Sequence, residues 1–492
     1  MDATSIIHAC PSSVYLVRTA AIRCTVSAPQ QKSKETRLEE FGTWLKGMGH
    51  EPCNLRLRSF PSESETPGTG AIAKTGGIRK GQIIVQVPFQ AFMSEQTARA
   101  CPHVGPLIEK ARLTEWQSLC LHLLCERAKG VRSMWYPYLA LLPTESEMAE
   151  LHPLMWPQGL SEEWLSGSPM LLKLQQRFLN CREDYEALVA AGGNFLFPPE
   201  KSIDAIVTEI STRWAASILL SRAFSLDLTN ELDDDEFSEH STVLVPWADM
   251  LNHSSLCGKE SCLVYDSIKK LACLHASKDY LEGEQVFDSY GPNLSPSDLL
   301  LDYGFVDQEN NNHRVDLPAS CLGPVTGSAN DDLLRSIGLP PDGAIFSITE
   351  DGVDETALAW TRAAVASIKE LASVGWTEGK HSQEKINTRG NMSMACFLKP
   401  VSHENESEVM RRLLSACGNV LTQYQTTLDE DHAMVDNEVD KVKVSWAQAQ
   451  AKLAIISEKK ALRGAWKQFY VKLKKLENGG NFRRSSQIKR TN

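Results

Sequence analysis

No apolar run in this sequence of 492 residues approaches the roughly 20 residues that a helix needs to cross a bilayer. Nor is there a C-x-x-C pair among its 13 cysteines, which are scattered and odd in number. That spacing argues against a disulfide framework and for free thiols in a reducing compartment. Positive charge is in deficit: 51 Lys and Arg against 62 Asp and Glu leave a net charge of -11. A nucleic-acid binder is disfavoured by that balance, and basic partner surfaces are favoured. No internal repeat is present. What remains is an apolar content of 42% and a charged content of 23%, those of a globular chain with material for a large core. The length implies two or three domains.

Acids are scarce in one place. Residues 1–34 hold only Asp2, with Arg18, Arg23, Lys32 and Lys34 among frequent Ser, Thr and Ala. This is the composition of an organellar transit peptide, and Ile22-Arg-Cys-Thr25 has the look of a stromal processing site, which favours the chloroplast. A disordered cytosolic N-terminus is the alternative. Helical periodicity starts at Leu38 and continues through Phe41, Leu45 and Met48. Pro61 to Gly70 is rich in Pro, Ser and Gly and reads as a loop, and Gln82 to Val87 reads as a strand stopped by Pro88. From about Ala98 to Leu226 apolar residues fall at three- and four-residue spacing, and a helix is expected to run through Arg222 to Phe224. Glu231 to Glu236 reads as a solvated acidic loop. Beyond Asp307 the pattern is helical again. One helix is expected over Glu406 to Met434, and a second carries Leu453, Ile456, Leu462, Trp466, Phe469 and Leu473 on one face. Gly479 to Asn492 is a basic polar tail.

The most informative block runs from Val243 to Phe305. It opens on an apolar run that ends in Asp249-Met-Leu-Asn-His-Ser254. It closes on Phe287-Asp-Ser-Tyr-Gly291 and Asp302-Tyr-Gly-Phe305. Two short β-type runs, Cys262 to Tyr265 and Leu271 to Ala276, lie between, joined by a polar turn. Two segments that each end a strand in a polar turn read as two halves of one site.

With Asn252-His253, Tyr290-Gly291 and Asp302 to Phe305 in this order, the block resembles the SET-domain methyltransferases. The match is to the plant branch typified by the Rubisco large-subunit lysine methyltransferase. Leu421-x-x-Tyr-x-Thr-Thr-Leu-Asp-Glu-Asp431 is similar to the helical domain that follows the SET domain in that branch. The resemblance implies an α+β protein: a β-rich, pseudoknotted SET domain over 35–310 with a helical insertion over about 98–226. An all-α substrate-binding domain over 311–478 would follow, with a disordered basic tail over 479–492. It also implies S-adenosylmethionine as cofactor, a docked protein substrate, no nucleic acid, no membrane and a monomer. Some SET enzymes bind zinc through cysteines after the Tyr-Gly segment. Here Cys321 stands alone in that region, so no structural metal is expected.

The residue roles are carried over in the same way. Gly68, Thr69 and Gly70 match a Gly-x-Gly segment against the cofactor, although Pro67 stands where relatives have an acid. Arg222, Asn252, His253 and Tyr303 match the other cofactor contacts. Structural readings of His253 as a buried hydrogen-bonded histidine and of Tyr303 as core packing stay open. Arg222, Phe224, Leu226, Asp249 and Tyr290 match the substrate side, Leu226 replacing a basic residue of the Rubisco enzyme. Asp249 has a structural hydrogen bond as its alternative. Tyr290 is the expected catalytic residue, orienting the amine rather than removing its proton, because a phenol of pKa near 10 is a poor base at neutral pH. The target must be uncharged: a free lysine is neutral only about once in a thousand near pH 7.4, equivalent to roughly 4 kcal/mol, and an apolar channel lowers that cost. A catalytically silent scaffold in a plastid complex and a cytosolic histidine methyltransferase are the alternatives. Phe224 in a place where histidine-directed relatives are polar counts against the latter. The expected substrate is a stromal protein such as the Rubisco large subunit or fructose-bisphosphate aldolase.

Overall fold

A computed structural model describes residues 33–49, 53–60, 68–157, 159–192, 205–228, 240–257, 263–339, 341–376, 393–436 and 445–479. The expected leader apart from Ser33 and Lys34, Pro67, the acidic run at 231–236 and all of the basic tail except Gly479 lie outside these residues. Helix α1 (Lys34–Gly47) begins where Ser33 accepts a hydrogen bond from the Thr36 amide at 3.2 Å, and it buries Phe41 and Leu45.

Strands β1 (Leu55–Phe60) and β2 (Gly68–Ala73) pair antiparallel, Arg58 facing Gly70 and Phe60 facing Gly68, and β3 (Ile83–Pro88) follows. Gly68 to Gly70, expected in a loop, is therefore the first half of a strand. Cross-strand pairing to β1 overrides the turn preference of its glycines.

The helical stretch is built from α2 (Glu95–Ala100), α3 (Gly105–Ala111), α4 (Glu115–Lys129), α5 (Tyr136–Leu139), α6 (Glu145–Leu151), α7 (Leu160–Trp164), α8 (Met170–Gly192) and α9 (Glu209–Arg222). Reciprocal capping boxes start several of them, as at Thr114 with Gln117 and Thr208 with Ser211. Helix α9 stops at Arg222, two residues before the expected end. The chain turns directly into β4 (Ala223–Asp227), which pairs with β5 (His240–Leu244) from Ala223 opposite Leu244 to Asp227 opposite His240. The alternation Phe-Ser-Leu satisfies the period of a strand as well as it had satisfied a helix, and the ladder to β5 decides between them.

Next come β6 (Asn252–His253), β7 (Val264–Asp266), β8 (Leu271–His275), β9 (Gln285–Asp288) and α10 (Pro296–Tyr303). The hairpin of β7 and β8 forms as the polar turn predicted and joins β3 in the order β3-β8-β7. The sheet that matters for function has the order β1-β2-β9-β6, and in it β6 runs parallel to β9.

The C-terminal part is mainly helical, as expected: α11 (Ser328–Ser336), α12 (Glu355–Val365), α13 (Ile368–Ser373), α14 (His403–Leu421), α15 (Leu428–Asp436) and α16 (Trp446–Glu477). It also carries a three-stranded sheet of β10 (Arg314–Pro318), β11 (Ile345–Thr349) and β12 (Gly352–Val353), which the helical pattern had not revealed. The single helix expected over Glu406 to Met434 is two helices, because the chain turns between them to bury Tyr424, whose hydroxyl donates to Glu458 at 2.8 Å. Two apolar cores result. One lies under β1, β2, β3, β8 and α4; the other joins α12, α14 and α16 to Trp156, Met170 and Leu174 of the insertion and to Leu300 and Leu301 of α10. No described helix is long and apolar enough to cross a membrane.

Candidate active site

The parallel pairing of β6 with β9 sets Asn252 opposite Phe287 and His253 opposite Asp288, so both strands end in turns at one edge of the sheet. His253 then clips the two turns together. Its Nδ1 accepts from the Tyr290 amide at 3.1 Å, which leaves Nε2–H to donate to Ser255 Oγ at 3.2 Å. Burial lowers its pKa to about 4, with Asp307 opposing, so the ring is neutral under ordinary conditions. The structural reading of this histidine holds alongside its place at the cavity wall.

A cavity opens between these turns and the helices. Its wall includes Thr69, Arg222, Asp249, Asn252, His253, Tyr290 and Tyr303. Of the residues expected at the site, these seven are gathered at one place. Gly68 and Gly70 sit just behind Thr69 in β2. A Cβ at Gly70 would lie 2.8 Å from Asn252 Nδ2 and 2.9 Å from the Phe60 ring, so glycine is required there by close approach. Phe224 and Leu226 do not line the cavity. Both fall on the face of β4 that turns to the first core, where Leu226 is buried, because α9 ends at Arg222 and strand alternation begins at once. The two therefore stand apart from the seven residues gathered at this cavity.

The Tyr290 hydroxyl donates to the Leu251 carbonyl at 2.8 Å, and its ring packs on Tyr303 with centroids 4.6 Å apart. Burial raises the phenol well above its usual range, with Arg222 opposing, so Tyr290 stays protonated at neutral pH. With its own proton committed to a backbone carbonyl, the oxygen has only acceptor capacity left for a ligand. Tyr303 is likewise pushed up to about 12 by burial.

Across the cavity, Arg222 Nη1 donates to both the backbone oxygen and Oδ2 of Asp249, each at 3.1 Å. Tyr138 donates to the same Oδ2 at 2.8 Å. The Asp249 side chain is fully buried, and burial lifts its pKa while Arg222 and Tyr138 hold it down. Three polar atoms of wall residues lack a partner among the described residues: Asp249 Oδ1, an acceptor, and Asn252 Nδ2 and Trp446 Nε1, both donors. Buried atoms left this way ask for a ligand.

Sequence reasoning missed several wall residues. Tyr138 stands behind the wall rather than on it, buried at 0% exposure, and reaches the site only through its hydrogen bond to Asp249. His152 carries no sequence signal. Its Nδ1 accepts from the Leu154 amide, its Nε2–H donates to the Asp302 carbonyl at 3.1 Å, and burial lowers its pKa to about 4. Arg177 pairs with the Asp302 carboxylate, so the turn into Tyr303 is held from both sides. Phe305 belongs to the motif but had no assigned role. Trp446, the first residue of α16, reaches the wall from the C-terminal part.

The family profile described as "Rubisco LSMT substrate-binding" matches residues 329–462. A solved structure titled "Crystal structure of the SET domain of LSMT bound to Lysine and AdoHcy" superposes with a TM-score of 0.68 at 22% identity, covering 91% of this chain and 94% of that one. The Rubisco large-subunit N-methyltransferase of Pisum sativum is 26% identical over 87% of this chain and 81% of its own length. The chain thus has the fold of the solved LSMT SET-domain structures, and its residues 329–462 match the Rubisco LSMT substrate-binding family. The actin-histidine N-methyltransferase of Xenopus tropicalis is 25% identical over 82% of the chain. Of that relative's length this SET-domain chain spans just under two thirds, 65%.

Proposed function

We propose that this chain is a plastid protein-lysine N-methyltransferase that uses S-adenosylmethionine. The observation that carries the proposal is Tyr290: a protonated phenol whose donor is spent on Leu251, set in an aromatic wall with the unpartnered buried atoms Asp249 Oδ1 and Asn252 Nδ2. S-adenosylmethionine, when bound, supplies a methyl group on a sulfonium, which an uncharged amine takes by in-line displacement. Thr69, Asn252 through its free Nδ2, and the N–H groups that Arg222 does not spend on Asp249 are the residues that would hold it. The fit rests on chemistry: the cofactor carries acceptor groups for Asn252 and a carboxylate for Arg222, and Tyr290, Tyr303 and Phe305 offer ring faces to a cation.

The chain's own contribution is then threefold. Its apolar and aromatic wall disfavours a lysine ammonium and so raises the fraction of neutral amine. The Tyr290 oxygen accepts an N–H of that amine and so aims its lone pair, and alignment of this kind contributes several kcal/mol. Arg222 and Tyr138 balance the Asp249 charge, so the carboxylate does not pull the amine back to its protonated form. The proteins that share the Rubisco LSMT-type C-terminal domain suggest a protein substrate docked on that domain.

Support for lysine comes from the superposed LSMT structure, whose title has it bound to lysine. The Xenopus relative favours a second reading, transfer to a histidine of a cytosolic protein. The deciding experiment incubates the purified chain with labelled S-adenosylmethionine and a stromal extract, then locates the label by mass spectrometry. Methyl-lysine is expected; methyl-histidine would select the second reading, and no label with no calorimetric binding of cofactor would leave a scaffold. Tyr290→Phe is expected to lower turnover by about ten- to a hundredfold, roughly 1.4 to 2.7 kcal/mol of barrier, with cofactor affinity nearly unchanged. Residues 1–40 fused to a fluorescent protein are expected to enter chloroplasts, and a cytosolic signal would remove the plastid assignment.

A further inference from the structure

Between the end of α2 and one face of α4 lies a set of buried groups that methyl transfer does not use. Cys101 is the residue that ends α2, while His122, Cys125 and Glu126 stand at i, i+3 and i+4 on α4 and so share a face. A ring nitrogen of His122, the Cys101 sulfur and a Glu126 oxygen all lie within 4.8 Å of one another. The Cys125 thiol is not one of that mutually close group of three, but it is in contact with the Cys101 thiol. None of the four residues is more than 6% exposed.

Two independent observations separate this cluster from ordinary packing. The first is His122. Neither of its ring nitrogens has a hydrogen bond of ordinary geometry among the described residues, and what the ring faces is the Cys101 thiol. The buried rings of His152 and His253, by contrast, have both nitrogens engaged. An unsatisfied buried polar group costs about 1 to 3 kcal/mol, so the position asks for an occupant. The second is Lys129. Its ammonium lies 2.5 Å from Glu126 Oε1 and 3.9 Å from Cys101 Sγ, so a cation already bridges two of the groups. Ser133 completes the second Glu126 oxygen at 2.6 Å.

We infer that Cys101, His122, Cys125 and Glu126 form a site for one divalent transition-metal ion, zinc by its ligand set, tying α2 to α4. Two thiolates, one neutral imidazole and one carboxylate suit the borderline character and four-coordinate preference of that ion. Charge closes as well. Two thiolates and one carboxylate offset the divalent ion together with the Lys129 ammonium. Binding breaks two S–H bonds, forms two sulfur–metal bonds and releases two protons to solvent. Lys129, whose side chain is 18% exposed, keeps its ammonium beside the cluster as the ion takes its bond to Glu126 Oε1. The expectation of no structural metal considered only the region after Tyr290. This site lies in the helical insertion, where a spacing of twenty-one residues between Cys101 and His122 hides it from any short motif.

The test is metal analysis of the full chain, expressed with added zinc and passed through gel filtration. One zinc per chain is expected, and replacement by Co2+ is expected to give a thiolate-to-cobalt charge-transfer absorption. Cys101→Ser and Cys125→Ser should each lose the ion, while Cys417→Ser, a buried thiol elsewhere, should retain it. A chelator should lower the melting temperature of the parent and not of Cys101→Ser. Parent protein with less than about a tenth of an equivalent of zinc and no cobalt absorption overturns the inference. So does metal retained by a Cys101→Ser, Cys125→Ser double variant, or an unreduced digest with Cys101 joined to Cys125 and no metal. None of these readouts depends on methyl transfer, so the inference and the proposed activity fail separately.

Discussion

Asp249 shows how much a single buried carboxylate decides. Its Oδ2 takes donors from Arg222 and Tyr138, and the Arg222 charge is tolerable only because Asp249 is there. Asp249→Ala is expected to destabilise the chain by about 3 to 5 kcal/mol, as breaking a buried pair does, whereas Tyr138→Phe should cost only about 1 to 3. Urea denaturation of both variants checks the order, and a larger loss from Tyr138→Phe would contradict the assignment. Protonation gives a second prediction. His152 and His253 are held near pKa 4 in the folded chain against 6.5 unfolded. Their contribution is present above pH 6.5 and is lost as pH falls through 4, roughly 3 kcal/mol each at the limit. Glu458 works in the opposite sense. Burial raises it to about 7 from 4.5, so its contribution is full below pH 4.5 and is lost as pH rises through 7. Melting curves from pH 4 to 8 should therefore show acid lability that weakens in His152→Gln and alkaline weakening that flattens in Glu458→Gln. At this scale the sequence is legible where the site is contiguous. Asn252, His253 and Tyr290 stand on short strands and turns, and Tyr303 ends the short helix α10, all within one block that a motif captures. Tyr138, His152 and Trp446 come from elements far off in the chain, and nothing local marks them.

Secondary structure was readable where one period dominated and ambiguous where two fitted. The segment after Arg222 satisfied both helix and strand, and only the ladder to β5 resolves it. That single boundary moves Phe224 and Leu226 from the cavity to the core. In α16 the expected inward face includes Trp466, yet this ring is 38% exposed and stacks on Tyr470 at 5.2 Å. Gly464 in the same helix carries a prediction contrary to helix propensity. Alanine is normally better than glycine in a helix by about 1 kcal/mol, but a Cβ here would lie 2.7 Å from the Glu350 Cα. Backbone must shift to admit it, so Gly464→Ala is expected to destabilise by about 1 to 3 kcal/mol. A gain in the urea midpoint would show that α16 and the turn before β12 are less tightly apposed.

Across the whole molecule, division by chain and division by core differ. The second core draws Trp156, Met170 and Leu174 from the insertion and Leu300 and Leu301 from α10. Polar contacts cross the same boundary: Glu458 of α16 accepts from Ser168 at 2.7 Å, and Gln450 accepts from the Val306 amide at 2.7 Å. Periodicity reports which face of a helix is apolar and not which neighbour covers it, so this sharing was invisible in the sequence. Calorimetry of the full chain is expected to give one unfolding transition rather than two. Two resolved peaks would mean that the cores melt independently.

Helix α16 begins with Trp446 in the cavity wall and runs for 32 residues, about 48 Å at 1.5 Å per residue. On the proposed reading, a protein docked along that rod would meet the cavity at a set span. The rod would then serve as a gauge, and the side chain modified would be the one that sits at the right distance from the grip.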